Sequence, residues 1–379
     1  MCQPEGLHLA IADAKLSFYV GAMDGPLFDR LRVQQAAKVP PGLRVETRPE
    51  GIYLPHIDLY LDPRVPVARA FISHAHADHA ATSREGLGAG PASDTIVLRF
   101  ASTETVALLR ARYDDVGPLT ALPWNTPLDL GNARVSVVHA GHILGAAALV
   151  VESPAGTLIY TGDIKPGAGL THPAAALPLC DTLIIESTFG LPIFAFPPAA
   201  ESHERMLAFA QETLAAGETP VFLAYSLGKG QEIARLLGSN GVHVRAHGSM
   251  TKLNVAYRAL GIELPLVRPY AKDDLDPPGA LTVPPRERFG AMFKRGKAKG
   301  IRVAYVSGWA MLDSSRDRFD ADLQVPLSDH ASFRELNELV DSCSPKRVIV
   351  THGFADGFAR LLRKRGYQAE PLEGAGYEA

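Results

Sequence analysis

Residues 71–80 read FISHAHADHA, an apolar pair followed by three histidines and one aspartate within six positions. The segment AFIS is typical of a strand, which places the polar side chains on the loop at its carboxyl end. Imidazole and carboxylate groups bind zinc, manganese or iron, and the small alanines between them let several side chains converge. A single loop histidine is usually just solvated, but this density favours a metal site built from His74, His76, Asp78 and His79.

Further candidate ligands follow three other predicted strands. HAGHILGAA contains His142, IYTGD contains Asp163 and VTHG contains His352. His139 competes with His142, but it lies within a strand, so we expect it in the core or behind the ligands. One catalytic zinc needs three protein ligands and a water, whereas this set is larger, so we expect two ions. Two ions about 3.5–4 Å apart suit phosphoester hydrolysis, because they activate water and neutralise the phosphoryl oxygens.

Short runs rich in Val, Ile and Leu are mixed with helical segments along the chain. DTIVLRF (94–100) and DTLIIEST (181–188) are typical of strands, and STETVALLRARY (102–113) is typical of a capped helix. The mixture predicts a layered α/β architecture in which helices cover sheets. Prolines at 192–200 suggest a crossing between domains. Residues 1–42 carry no motif, and we expect an N-terminal extension there.

Length and composition exclude several classes of protein. The chain has 379 residues, a formal net charge of −3 and three widely separated cysteines. The length predicts two or three domains. The cysteines form no CxxC pair, so we expect a reducing cytoplasm and neither a disulfide framework nor a thiolate zinc site. The most apolar stretch, 135–151, is shorter than a membrane span, so we expect no membrane partner. A nucleic-acid partner would require a local basic surface.

The ordered blocks resemble those of the metallo-β-lactamase superfamily: an HxHxDH loop, a histidine, an aspartate and a distal histidine. The resemblance implies an αββα sandwich with two ions, zinc and/or manganese, at one edge between two sheets. It assigns one ion to His74, His76, His142 and Asp163, and the other to Asp78, His79, Asp163 and His352. Asp62 in YLDP matches the first acidic motif and would support the metal loop; Asp58 is the alternative.

Three further segments resemble the β-CASP branch of nucleases. IIESTFG (184–190) is similar to its acidic motif with Glu186, LSDHA (327–331) to its histidine motif with His330, and AYSLGKGQEI (224–233) to its cassette. The resemblance implies that an α/β β-CASP cassette is inserted into the sandwich. The expected divisions are an extension (1–42), the sandwich (43–198 and 316–379) and the cassette (199–315).

His330 is the candidate proton donor. Phosphodiester cleavage expels an alkoxide, and imidazole, with an ordinary pKa of about 6.5, can protonate it. By the family pattern Glu186 would hold the ring and favour its charged form, which makes Asp78, His330 and Glu186 the candidate catalytic set. The alternative is that Ser328 or Asp329 caps a helix and His330 is exposed. The residues alone leave both open, and the resemblance favours the proton donor.

The resemblance divides on the substrate. A histidine at the last motif, His352, is similar to RNA-processing members, whereas the short chain and SGWAM (307–311) are most similar to bacterial ligase-associated DNA exonucleases. We therefore expect a DNA exonuclease acting in DNA repair, with DNA as partner and a link to a DNA ligase pathway. The alternatives are an mRNA 3′-end-processing type of nuclease, a small-molecule metallo-hydrolase, and an inactive scaffold subunit.

Contacts to the nucleic acid are expected from basic and cassette residues. The runs FKRGKAKG (293–300) and RLLRKRGY (360–367) could neutralise phosphates, although most charge runs are simply solvated. Tyr225, Trp309 and Phe333 are candidates for base stacking, although such aromatics are more often core. The candidate substrate-binding residues in the cassette are Ser226, Gly228, Lys229 and Lys252.

Overall fold

The computed structural model describes residues 43–80, 97–265, 267–270, 279–290, 293 and 300–372. The expected N-terminal extension and the lysines and arginines of the 293–300 run lie outside the described residues. Three sheets and the helices that cover them make up the described part of the chain.

The first sheet has six strands in chain order. Its first three strands are antiparallel and the following pairs are parallel. The strands are β1 Glu46–Arg48, β2 Gly51–Leu54, β3 Leu59–Leu61, β4 Arg69–Phe71, β5 Leu98–Ser102 and β6 Thr120–Leu122. The ligand loop at 74–79 follows β4 directly.

The second sheet has seven strands in the order β19-β18-β11-β10-β9-β8-β7. They are β7 Leu128–Asp129, β8 Arg134–His139, β9 Ala147–Ser153, β10 Gly156–Tyr160, β11 Thr182–Glu186, β18 Arg347–Thr351 and β19 Ala369–Pro371. Strands β10, β11 and β18 are parallel. Their carboxyl ends therefore meet at one edge of the sheet, where Asp163, Glu186 and His352 lie.

The two sheets pack face to face and helices cover their outer faces. One buried cluster joins Phe71 and Phe100 of the first sheet to Leu149, Tyr160 and Ile184 of the second. A second cluster covers the outer faces. It is built largely by α1 Thr103–Arg112 beside the first sheet, and by α6 Phe333–Cys343 and α7 Ala355–Lys364 beside the second. This arrangement confirms the predicted αββα sandwich.

A third, wholly parallel sheet forms a separate α/β unit with the order β14-β13-β15-β12-β16-β17. Its strands are β12 Thr219–Leu223, β13 Val244–Ala246, β14 Arg268–Pro269, β15 Ala280–Val283, β16 Ile301–Val306 and β17 Leu323–Val325. The helices α2 Ala199–Ala215, α3 Lys229–Ser239 and α4 Gly248–Ala259 pack against it, and α5 Asp313–Phe319 precedes β17. This is the α/β unit that the cassette motif predicts.

The boundary expected at residue 315 falls inside this third unit. Strand β17 pairs with β16 from Ala304↔Leu323 to Val306↔Val325, so the sheet continues past that boundary. We propose that the chain returns to the sandwich after Val325. Within the described residues, no helix combines the length and apolar character needed to cross a membrane.

Candidate metal centre and active site

Asp62 holds the ligand loop in place. Its Oδ1 accepts the Ser73 backbone N–H (2.6 Å), and its Oδ2 accepts the Ser73 hydroxyl (2.5 Å), the Tyr160 hydroxyl (2.8 Å) and His79 Nδ1 (2.8 Å). Asp62 is buried and adopts a left-handed backbone with φ 42°. The alternative, Asp58, is exposed and accepts the Tyr53 hydroxyl instead. The structure therefore places Asp62, not Asp58, beside the loop.

Four histidines each have one ring nitrogen fixed by an oxygen outside the cluster. The contacts are His74 Nδ1 to Ser73 Oγ (2.9 Å), His76 Nε2 to the Leu227 carbonyl (3.1 Å), His79 Nδ1 to Asp62 (2.8 Å) and His142 Nδ1 to the Asp329 carbonyl (3.1 Å). Carbonyl and carboxylate oxygens only accept, and the Ser73 hydroxyl already donates to Asp62. All four fixed nitrogens are therefore donors.

The opposite nitrogens of His74, His76 and His142 then carry lone pairs, and these three nitrogens converge. His76 Nδ1 lies 3.0 Å from His74 Nε2 and 3.1 Å from His142 Nε2. Burial and the neighbouring histidines hold the pKa of His74 and His142 well below the ordinary value, so both rings are neutral. Three facing lone pairs repel unless a cation lies between them, and neutral imidazole is the form that binds metal. This donor set fits a divalent ion.

The Asp163 carboxylate lies beside two groups of imidazoles. Its Oδ2 is 3.5 Å from His74 Nε2, 3.7 Å from His142 Nε2 and 3.4 Å from His79 Nε2. Although burial opposes ionisation, the charge on His79 and its neighbours holds the pKa of Asp163 well below its usual value. A buried, ionised carboxylate thus stands between the predicted sets of ligands.

The first predicted set is compact and the second is more open. The ligand atoms of His74, His76, His142 and Asp163 all lie within 4.8 Å of one another. In the second set, Asp78 Oδ2 is 3.8 Å from His79 Nε2 and its side chain is 78% exposed. The rings of His79 and His352 are 5.1 Å apart. All seven predicted ligands therefore lie together at one edge of the sandwich.

His352 reaches this edge through a tight crossing of the chain. Its backbone and that of Gly353 are left-handed, with φ 54° and 57°. A Cβ on Gly353 would overlap the backbone of Ser187 and Thr188, while the Ser187 hydroxyl donates to the carbonyls of Thr351 and His352. The strand end thus turns sharply toward the predicted metal ligands.

Glu186 and His330 form a hydrogen-bonded pair at the same edge. His330 Nδ1 lies 2.9 Å from Glu186 Oε1, and the fully buried carboxylate also accepts the backbone N–H groups of Ile164 (2.9 Å) and Thr188 (3.0 Å). Burial lowers the pKa of His330, but the charges of Glu186 and Asp163 outweigh it and raise the pKa to about 9. The ring is therefore protonated at neutral pH.

The cap of the following helix is not where the alternative interpretation put it. Ser332 caps α6, with its Oγ accepting the Glu335 N–H (3.2 Å) and the Glu335 carboxylate accepting the Ser332 N–H (2.7 Å). Ser328 instead accepts the His330 N–H (2.9 Å). A cap at Ser328 or Asp329 is wrong because the helix begins later, at Phe333.

A cavity of about 410 Å³ lies over the ligands and opens beside a larger one of about 1110 Å³. The smaller, here the metal cavity, is bordered by Asp78, His79, Asp163, His330 and His352. The larger, here the groove, lies against the cassette and includes Ser226 and Lys252. His76, Arg112, Tyr225 and Trp309 line both.

Other predicted residues lie in different surroundings. Lys229 borders the metal cavity, but its ammonium is 2.6 Å from Glu232 Oε2 and 2.7 Å from Asp329 Oδ1. Gly228 has φ 90°, and a Cβ there would overlap Ile143.

Phe333, a candidate for base stacking, and His139, the alternative to His142 as a ligand, lie away from the site. Phe333 packs against the core near Phe358 rather than in either cavity, so it offers no stacking surface. His139 stacks on Trp124 with ring centroids 3.9 Å apart, away from the ligand atoms.

The sequence interpretation missed several groove residues. They are Arg112, Ser249, Arg286, Phe289 and Arg318. They come from helix ends and connecting segments far apart in the chain and belong to no motif. The predicted basic run at 360–367 covers the end of α7 and the turn after it, where Arg365 pairs with Asp341 (2.7 Å), and it lines neither cavity.

Comparison with known proteins gives one family match and several relatives. Residues 323–370 match the family described as Zn-dependent metallo-hydrolase RNA specificity domain. A probable DNA ligase of Opitutus terrae is 38% identical over 323 residues, which cover 84% of this chain and 30% of that protein. The DNA cross-link repair 1A protein of Gallus gallus is 24% identical over 336 residues (81% and 32%). An RNase J-like protein of Methanocaldococcus jannaschii is 31% identical over 110 residues (28% and 26%).

The chain spans less than a third of the length of each of these curated relatives. Their printed names divide between DNA and RNA, whereas the match at 323–370 spans both His330 and His352. The similarity therefore includes part of the site described above.

Proposed function

Because the chain belongs to the β-CASP branch of the metallo-β-lactamase superfamily, we propose that it is a two-metal-dependent nuclease, most specifically a DNA exonuclease acting in DNA repair. The observation that carries the proposal is the position of Asp163 Oδ2, within 3.4–3.7 Å of nitrogens from His74, His79 and His142. A carboxylate between two groups of imidazoles is suited to be shared by two cations.

In this proposal the ligands divide between the two ions in the order of the motifs. One ion, zinc or manganese, would be held by the compact set, and the other by the open set that includes the exposed Asp78. The ligands are His74, His76, His142 and Asp163 for the first ion, and Asp78, His79, Asp163 and His352 for the second. Divalent ions bound there would polarise phosphoryl oxygens and make water more acidic.

The residues of the chain supply the proton and fix its position. His330 borders the metal cavity in its charged form, which supports the proposal that it protonates the leaving alkoxide. Glu186 cannot swing away, because both of its oxygens accept backbone N–H groups. The ring of His330 is thereby held at one side of the cavity, where its other nitrogen would meet a bound substrate.

A polymeric substrate is supported by the groove that continues from the metal cavity. Among the described residues that line it are four basic side chains and no carboxylate. A small substrate would leave this surface unused, which argues against a thioesterase or lactonase. The basic residues are Arg112, Lys252, Arg286 and Arg318.

The choice between DNA and RNA as the substrate is the more specific part of the proposal. The names of the Opitutus terrae and Gallus gallus relatives refer to DNA, and they support DNA and a working relation with a DNA ligase. The matched RNA specificity domain supports the alternative, an RNA-processing nuclease. Both alternatives use the same phosphodiester chemistry.

The test incubates the full chain with matched single-stranded DNA and RNA, labelled at each end in turn, with zinc or manganese. We expect a ladder of products from DNA and little from RNA. Asp78→Ala should abolish the products, and the exposed Asp58→Asn serves as the control. Products from RNA alone would favour the alternative, and hydrolysis of a simple thioester without any nucleic-acid product would refute the nuclease.

A further inference from the structure

Arg112 stands where the two cavities meet. It is the last residue of α1, and its Nη1 donates to the carbonyl of Ala75 (2.8 Å). Ala75 lies between the predicted ligands His74 and His76. The guanidinium is therefore fixed against the ligand loop, in the lining of both the metal cavity and the groove.

The charge of Arg112 is not matched by a carboxylate. No described carboxylate forms an ion pair with it, and no described Asp or Glu borders the groove. A guanidinium has five N–H donors in a planar fork. One is used by Ala75, so others remain for a ligand, and a phosphate matches both their charge and their geometry.

The side chains around Arg112 are suited to a single strand of nucleic acid rather than to an isolated anion. Tyr225 and Trp309 line both cavities beside Arg112, and Tyr225 is 54% exposed. Further along the groove lie Phe289, which is 58% exposed, and Arg318. Exposed aromatics interleaved with cations are suited to stack bases while they bind the backbone.

We propose that Arg112 binds the phosphate next to the scissile phosphodiester of a single strand that runs from the metal cavity into the groove. This inference rests on the proposed nuclease activity and adds a specific substrate-binding residue to it. Arg112 acts on an uncleaved linkage, so its contribution depends on the charge of that one phosphate. The remaining groove cations meet phosphates further along.

The test replaces phosphates one at a time. Single-stranded DNA oligonucleotides carry one uncharged methylphosphonate at successive linkages, and kcat/KM is measured for the wild type, Arg112→Gln, Arg112→Lys and Arg110→Gln. Arg110 is the matched control, because it lies on the same helix, is exposed and lines neither cavity. Metal content is measured for every variant.

For the wild type we expect one uncleaved linkage at which the methylphosphonate lowers kcat/KM by about 10-fold or more, as for loss of a charged hydrogen bond. Arg112→Gln should lower kcat/KM on the all-phosphate strand by a similar factor. In this variant the methylphosphonate at that linkage should cause no further loss, because both changes remove the same interaction and their effects are not additive. Arg112→Lys should keep part of the sensitivity, and Arg110→Gln should match the wild type.

An unchanged linkage profile in Arg112→Gln would overturn the inference. An unchanged linkage profile accompanied by loss of metal would overturn it as well, because the guanidinium would then only support the ligand loop. Equilibrium binding of the same oligonucleotides separates this failure from that of the proposed function. A wild type that hydrolyses no strand but binds with a penalty at one linkage, lost in Arg112→Gln, refutes the nuclease and supports the phosphate site.

Discussion

Replacing Lys229 by Met distinguishes a buried ion pair from a substrate contact. The side chain is 3% exposed, and its ammonium lies between Glu232 and Asp329 at 2.6 and 2.7 Å. Burial lowers the pKa of Lys229, but the two carboxylates outweigh it and raise the pKa overall, so the group is charged. Met fills a similar volume without the charge and leaves two carboxylates without their cation.

Removing one partner of a buried ion pair destabilises a protein by about 3–5 kcal/mol. Glu232 keeps its contact with His203 Nε2 (2.9 Å), so we expect about 3 kcal/mol, at the lower end of that range. Urea unfolding followed by circular dichroism measures this loss. Glu232→Gln added to Lys229→Met removes one of the two carboxylates that lose the Lys229 ammonium and should recover part of the stability.

Lys229→Met should also lower turnover, and turnover should remain low in the double variant Lys229→Met/Glu232→Gln. Lys229 fixes the side chain of Asp329, whose backbone carbonyl accepts from His142 Nδ1 and whose next residue is His330. Stability and turnover are therefore expected to separate. A loss of stability below about 1 kcal/mol, with a raised KM and a weaker salt dependence of binding, would refute this reasoning and make Lys229 a phosphate contact.

Four further predictions concern His330, Asp62 and Glu335. His330→Ala should keep its metal and lose about 10²–10⁴-fold in turnover; wild-type turnover should fall as pH rises through the pKa of His330, about 9, or lower where bound cations offset Asp163. Asp62→Asn should weaken metal affinity about 10–100-fold, because His79 loses its carboxylate partner; metal titration measures this. Burial raises the pKa of Glu335, but the Lys165 ammonium outweighs it and lowers the pKa overall. The ionised carboxylate therefore stabilises the fold above the pKa that Glu335 has in the unfolded chain, about 4.3. The deficit of Glu335→Gln in urea unfolding, about 1 kcal/mol at pH 7, should therefore shrink below that value and vanish once the pH has fallen through the lower pKa of Glu335 in the folded state.

The sequence was most informative where function concentrates residues in short segments. The HxHxDH loop, Asp163 and His352 follow apolar strands, and parallel strands bring their carboxyl ends to one edge. Glu186 and His330 were found through motif resemblance and are separated by 144 positions, so local pattern alone could not pair them.

The groove could not be predicted in the same way. Its walls come from helix ends and connecting segments whose residues meet only after the third sheet is placed against the sandwich. Arg112 is an ordinary basic residue at the end of a helix until that placement is known. Lys229 appeared free to bind phosphate because only one of its two partners is local: Glu232 lies three positions away on the same helix, whereas Asp329 meets Lys229 only in the folded chain.

The hydrogen bond from His76 to the Leu227 carbonyl joins a predicted ligand of the sandwich to the backbone that leads into α3 of the cassette. This contact favours the ring orientation that presents Nδ1 to an ion. The free energy of ion binding is therefore coupled to the free energy of association between the sandwich and the cassette. Coupling of this kind is reciprocal. Removal of the ion by a chelator should therefore weaken the association of the cassette with the sandwich. Separation of the cassette from the sandwich should in turn weaken ion binding.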